Sequence, residues 1–305
     1  MTKRDDLIFN EPDGLLRMTI AGRQARVLMC RTTRLTQQAA DIHQASDVAT
    51  AAMGRLLSAS AMLFSSIEDE GRSVTAIVSG DGVGGSMTVV GHSDGKLKIA
   101  VENPQAELPL RADGKQDVGD FVGRHGKLTV IRDRPEGEPY IGICNLVSGE
   151  LGLDFAEYFT MSEQTPSLVA LGCLNQAATV LSAGGILIQA LPGCDMSVID
   201  EIEKREPFFS GISRELYDKP MRELAEFWFQ GMDLEILSEE TLTLQCDCSR
   251  EKMLGALRSL GQAELLEMAA EAKDTEMACH FCRSVHKFSP QELTDLAKNA
   301  AVRGE

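Results

Sequence analysis

Basic charge, aromatic side chains and long apolar runs are all scarce in this chain. Among 305 residues, 30 lysines and arginines stand against 46 aspartates and glutamates, a net charge of −16. That balance argues against nucleic acid as a partner, since a phosphate backbone is held by basic surface. No apolar run approaches the ~20 residues of a membrane span. The start, Met1-Thr2-Lys3-Arg4-Asp5-Asp6, lacks the apolar stretch of a secretory signal. No membrane association and a cytoplasmic location are therefore expected. A Ser-His-Asp or paired-carboxylate constellation is also missing. His43, His92 and His125 are scattered and read as surface or turn residues, so the chain is not expected to be an enzyme.

What is there is the composition of a globular protein, 43% apolar and 25% charged, long enough for one sizeable core and one or two smaller modules. The acidity is uneven. From residue 194 onward, 23 acidic residues face 13 basic ones, a balance that suits a segment that stays dissolved when its packing is lost and equally suits an ordinary solvated surface.

Eight cysteines in a reducing compartment read as metal ligands, redox sensors or core thiols rather than structural disulfides. Cys30, Cys144, Cys173 and Cys194 are isolated among apolar neighbours and read as core or incidental thiols. The other four come as Cys246-Asp247-Cys248 and Cys279-His280-Phe281-Cys282. A C-x-C and a C-x-x-C pair together offer four thiolates, the shell of a closed tetrahedral zinc site with no open position for hydrolysis. His280 and His286 remain alternatives to one of the sulfurs. A thiol oxidoreductase reading of Cys279 to Cys282 alone needs a βαβ context, which the surroundings lack.

Along the chain, residues 15 to 30 read as a hairpin with imperfect alternation, and residues 46 to 67 as an Ala-rich helix ended by Gly71. Strands follow near 74–78, 86–90 and 96–101. Gly80-Asp81-Gly82-Val83-Gly84-Gly85 has dinucleotide-site spacing, but strand sequence follows where that fingerprint needs a helix; a turn requiring positive φ is expected instead. More antiparallel strands are expected at 127–132 and 140–147 around a turn at Pro135. A helix at 153–161 and strands at 167–173 and 184–189 then complete an α+β core of residues 1–193.

Residues 194–244 read as a helical linker. Asp195 caps one helix, and a second runs from Asp218 to Gly231 with Met221, Leu224, Ala225 and Trp228 on one face. Met221, Leu224, Phe227 and Trp228 are the candidate linker or client-binding surface. Residues 245–305 form a small module in which Ser249 caps a helix ended by Gly261, and Ser289-Pro290-Gln291-Glu292 is a capping box. A module of this size rarely supplies more than ~3 to 5 kcal/mol of its own, whereas a structural zinc contributes roughly 10 to 16 kcal/mol. Metal therefore decides whether it folds. Thiolates are also what oxidants attack, and each cysteine pair is close enough to form its own disulfide. Arg250, Lys252, Arg283 and Lys287 either balance the charge of four thiolates or are simply solvated.

At Cys246-Asp247-Cys248-Ser249-Arg250-Glu251 and Cys279-His280-Phe281-Cys282 with Phe288, the chain resembles the heat shock protein 33 family of redox-regulated chaperones. Ser162-Glu163-Gln164-Thr165-Pro166, Ala183 to Gln189 and Leu191-Pro192-Gly193 extend the resemblance over essentially the whole length. It implies an ATP-independent holdase, inactive while reduced and zinc-bound. Peroxide with mild unfolding, or hypochlorite, would form disulfides Cys246–Cys248 and Cys279–Cys282, release zinc and unfold the linker. Oxidised members dimerise, hold unfolding clients and pass them to ATP-dependent foldases. His286 stands where a tyrosine is expected, and Cys194 where a small residue is usual. The alternative reading is a constitutive interaction module with a purely structural four-cysteine zinc site.

Overall fold

The first two strands alternate imperfectly because both of their faces are covered. The computed structural model describes residues 11–65, 72–134, 136–271 and 273–301, so Gly71 and Pro135 lie outside the described residues. The chain divides into two compact units, up to Gln245 and from Cys246.

The first unit opens with β1 (Gly14–Ile20) and β2 (Ala25–Arg31), the expected hairpin. Two helices follow, α1 (Thr33–His43) and α2 (Asp47–Phe64). The first was not expected: its sequence is polar and buries only a narrow stripe of Leu35, Thr36, Ala39, Ala40 and His43. His43 is thereby corrected from a surface residue to a buried one, with Nε2 3.0 Å from the Ile99 carbonyl. The second helix is capped by Ser46, whose hydroxyl accepts from the Ala49 amide at 3.2 Å, and every residue but Asp47 and Arg55 is buried. A helix apolar all round belongs in an interior, and its alanines and serines let sheets close on it from two sides.

Next come β3 (Ser73–Gly80), β4 (Ser86–His92), β5 (Lys96–Val101), a short α3 (Val118–Val122), β6 (Gly126–Arg132) and β7 (Tyr140–Asn145). The glycines between β3 and β4 serve a different purpose from the one expected. A Cβ on Gly80 would lie 2.0 Å from the Val122 carbonyl oxygen, and one on Gly84 would lie 2.3 Å from the Phe121 ring. They are there because α3 lies against the turn; of the four, only Gly85 has positive φ.

The unit continues through α4 (Gly152–Glu163), β8 (Ser167–Gln176), β9 (Thr179–Ala190), four short helices α5 (Met196–Glu203), α6 (Glu206–Phe209), α7 (Ile212–Asp218) and α8 (Met221–Trp228), then β10 (Glu235–Thr241) and β11 (Thr243–Leu244). One sheet has the order β10-β1-β2-β9-β8, the other β11-β5-β4-β3-β6-β7. The α+β class read from the sequence is the class observed.

Alternation in the five-stranded sheet sorts its side chains between two cores. Leu15, Leu28, Cys30 and Leu187 join α2 and the second sheet. Leu16, Met18, Ile20, Val27, Met29, Ile186 and Ile188 face the helices of segment 194–234. In that second core the Phe209 and Trp228 rings meet edge to face, with centroids 5.4 Å apart. Burial on both faces explains strands that read as almost continuous apolar runs.

The second unit holds α9 (Arg250–Arg258), α10 (Gln262–Ala270), a hairpin β12 (Thr275–Ala278) and β13 (Val285–Phe288), and α11 (Pro290–Ala301). Ser249 caps α9 as expected, but the helix ends before Gly261, which opens α10 with φ 89. The capping box is present: the Glu292 amide donates to Ser289 Oγ at 3.3 Å, and the Ser289 amide to the Glu292 carboxylate at 2.9 Å. The core here is small: Leu257, Leu265, Phe288, Leu293, Leu296 and Ala297.

Candidate metal centre

Two local structures deliver the sulfurs. Cys246 and Cys248 lie in the extended stretch ahead of α9. Alternation in extended chain sends residues two apart to the same side, so both sulfurs face one way. Cys279 and Cys282 occupy the turn between β12 and β13. There the Cys279 amide donates to the Ser284 carbonyl and the Arg283 amide to the Cys279 carbonyl, both at 2.9 Å. Arg283 takes φ 59 to close the knuckle.

The four Sγ atoms lie within 4.8 Å of one another. Cys246 Sγ is 3.7 Å from Cys279 Sγ, and Cys248 Sγ is 3.3 Å from Cys282 Sγ. A tetrahedron with Zn–S of about 2.3 Å has edges of about 3.8 Å, so the donor set and its spacing fit a four-thiolate ion. Neither His280 nor His286 belongs to the cluster. Cys279 is buried and the other three are half-buried, which limits solvent access without closing the site to small oxidants.

The sulfurs differ in acidity. Burial pushes the Cys246 thiol up, and the Cys282 sulfur together with burial pushes Cys248 up. At Cys282 burial also acts upward, but the Ser284 hydroxyl and amide and the neighbouring thiols outweigh it and bring the group down to about 6. Ser284 Oγ stands 3.2 Å from Cys282 Sγ. The sequence reading passed over this serine; the available signal was a small polar residue two positions after the last cysteine of a knuckle.

Three of the neighbouring cations pair with carboxylates. Lys252 pairs with Asp247 and Arg250 with Glu292, and Lys287 Nζ is 2.7 Å from Glu276. His286 pairs with Met277 in the hairpin, and its enclosed Nε2 has no hydrogen-bond partner. The remaining cysteines are chemically quiet. Burial drives Cys30 and Cys173 up to about 12 and Cys144 up to about 11, leaving little thiolate. Cys194 is half-buried, an incidental thiol raised by burial and by Asp195.

Of the candidate linker surface, Met221, Leu224 and Trp228 are buried against the five-stranded sheet, while Phe227 is exposed. Phe227 instead meets Phe208 at 6.1 Å and the Lys219 ammonium at 4.9 Å.

Residues 13–289 match the family model described as Hsp33 protein. The chain belongs to the Hsp33 family. It is 39% identical over 287 residues to a 33 kDa chaperonin of Clostridium perfringens, covering 93% of this chain and 91% of that one. A 33 kDa chaperonin of Clostridium botulinum is 38% identical over 290 residues, covering 94% and 98%. The crystal structure of the 33 kDa chaperonin (heat shock protein 33 homolog) of Thermotoga maritima superposes with a TM-score of 0.87 at 29% identity, over 96% of this chain and all of that one. Membership of this chaperone family places the four-cysteine cluster in an Hsp33 fold. Among the described residues no helix is long and apolar enough to cross a membrane.

Proposed function

We propose that this chain is a redox-regulated, ATP-independent holdase that binds unfolding proteins during oxidative stress and acts without catalysis. The observation that carries the reading is the convergence of four cysteine sulfurs in a unit with six buried apolar core side chains among its described residues. Cys246, Cys248, Cys279 and Cys282 would hold one zinc ion, which when bound keeps all four sulfurs as thiolates and closes the module. The organisation is a core at 1–193, a linker at 194–244 and a redox module at 245–305.

Hydrogen peroxide would convert one thiolate to a sulfenic acid, whose sulfur the neighbouring thiolate attacks with loss of hydroxide. Two thiols and one peroxide give one disulfide and two waters. We assign the bonds to Cys246–Cys248 and Cys279–Cys282. The short contacts across the motifs are edges of a tetrahedron; once the module opens, only sulfurs close in sequence stay together. Sulfurs joined in this way no longer serve as ligands, and a module with so small a core loses its fold. The linker helices would then leave the sheet, uncovering Leu16, Met18, Val27, Met29, Ile186 and Ile188, together with the inner faces of Met221, Leu224 and Trp228, as an apolar surface for clients. Oxidised chains would pair as homodimers and release clients to ATP-dependent foldases after reduction. The setting is cytoplasmic, with neither nucleic acid nor membrane as partner.

The test is light scattering by an aggregating client, with this protein reduced and zinc-loaded or oxidised by peroxide under mild heat. Suppression by the oxidised form alone supports the switch. Equal suppression by both forms, or by neither, favours a constitutive module with a purely structural zinc. Mass mapping of the oxidised protein checks the pairing, and a Cys246–Cys279 link would overturn it.

A further inference from the structure

The junction between α7 and α8 lacks caps of its own. The cap position of α8 is Pro220, which makes no side-chain capping bond, and α7 runs into an extended Lys219. Helices of seven and eight residues do not persist alone in water, and the free carbonyls and amides at their ends need partners.

The core supplies them. Arg31, at the end of β2 and 3% exposed, sends Nη2 to the Leu216 carbonyl at 2.6 Å and the Lys219 carbonyl at 3.1 Å. The same nitrogen lies 2.8 Å from a Glu11 carboxylate oxygen. Glu11 in turn accepts from the Met221 amide, at 3.1 and 3.4 Å from its two oxygens. A buried cation thus closes the end of one helix and its partner anion opens the next, both reaching out from the N-terminal part of the chain. Arg205 makes a comparable set of bonds, to the Trp228 carbonyl at 2.9 Å and the Gln230 carbonyl at 3.3 Å, but it belongs to the same segment as its acceptors and travels with them.

We propose that Arg31 and Glu11 are positioning residues, a latch that holds α7 and α8 on the sheet and sets how readily the apolar face beneath them is uncovered. The proposal rests on the holdase reading, in which that face is what clients meet. Removing the guanidinium leaves the buried Leu216 carbonyl, the half-buried Lys219 carbonyl and the half-buried Glu11 carboxylate without their shared cation, a cost that falls on the docked state alone. The unlatched linker reaches solvent satisfaction for all three by leaving the sheet.

The experiment is hydrogen–deuterium exchange on the reduced, zinc-loaded full chain, comparing wild type, Glu11→Gln and Arg31→Met, alongside the client-aggregation assay. Exchange across 212–229 is expected to accelerate about tenfold or more in Arg31→Met and less in Glu11→Gln, with β3, β4 and β6 unchanged and zinc retained. Reduced Arg31→Met is then expected to suppress aggregation without oxidant. Unchanged exchange at 212–229, or acceleration spread equally over the core strands, overturns the latch. If Arg31→Met does not fold, the same criterion applies to Glu11→Gln, which keeps an acceptor for Met221. Accelerated exchange with no gain in client binding leaves the latch standing and counts against the holdase reading; an oxidation-activated wild type with unchanged variant exchange does the reverse.

Discussion

The guanidinium of Arg250 lies over the ring of Phe288, 4.5 Å from its centre. Arg250 is two residues beyond Cys248 and Phe288 six beyond Cys282, so the contact ties the flanks of the two cysteine motifs together. It does so without using a sulfur. Arg250 also donates to the Lys287 carbonyl at 2.7 Å and pairs with Glu292.

Arg250→Ala should therefore weaken zinc binding while leaving its stoichiometry unchanged. A partly exposed cation–π contact contributes about 1 kcal/mol, so affinity should fall roughly 5-fold, as read by competition with a chromophoric chelator. Lost stoichiometry would mean that Arg250 shapes the ligand set itself.

Trp228, on the inner face of the linker helix α8, is 1% exposed and is the chain's one tryptophan. Its emission should shift to the red on oxidation, in step with zinc release or after it. Zinc fully released with emission unchanged would show that the linker stays docked.

Burial raises the Asp13 carboxyl to about 6, against the pull of the Leu35 and Arg34 amides and the charges of Arg31 and Arg34. A carboxyl raised in the folded state binds its proton more tightly there than in the unfolded chain. Its contribution to stability is therefore present at low pH and lost as pH rises from about 4 to 6, by roughly 3 kcal/mol. Asp13→Asn keeps an acceptor for Leu35 and removes the titration. Its advantage over wild type in denaturant melts should grow across that window and stay level above it.

Asp154 is fully buried and its carboxylate accepts from four backbone amides, those of Val147 and Leu151 at 2.8 Å, Ser148 at 2.9 Å and Gly149 at 3.3 Å. Asp154→Ala leaves those donors enclosed and should cost about 3 kcal/mol or more, measured by equilibrium unfolding. Zinc content should not change.

Several elements escaped the sequence for identifiable reasons. The strand β10, Glu-Ile-Leu-Ser-Glu-Glu-Thr, reads as solvated chain, and only its acidic side chains meeting Arg17 at 2.7 Å and Arg23 at 2.8 Å show why it lies beside β1. The strands β12 and β13 are four residues each, too short for any period, and exist because a knuckle between them must present two cysteines. In α8 the three-and-four spacing placed Met221, Leu224 and Trp228 inward correctly, while Phe227 followed its neighbours by aromaticity alone and lies outside.

By itself the sequence determined the α+β class, the four cysteines that cluster, the caps at Ser249 and Ser289, and the family. Each of these is written in residues close together along the chain, where spacing and local bonding decide the outcome. Only the tertiary structure decided that His43 is buried, that the glycines near Gly84 make room for Phe121, and that Arg31 and Glu11 cap helices 185 and 210 residues away. Those are contacts between distant segments, and a chain read one neighbourhood at a time carries no record of which distant carbonyl a buried arginine will meet.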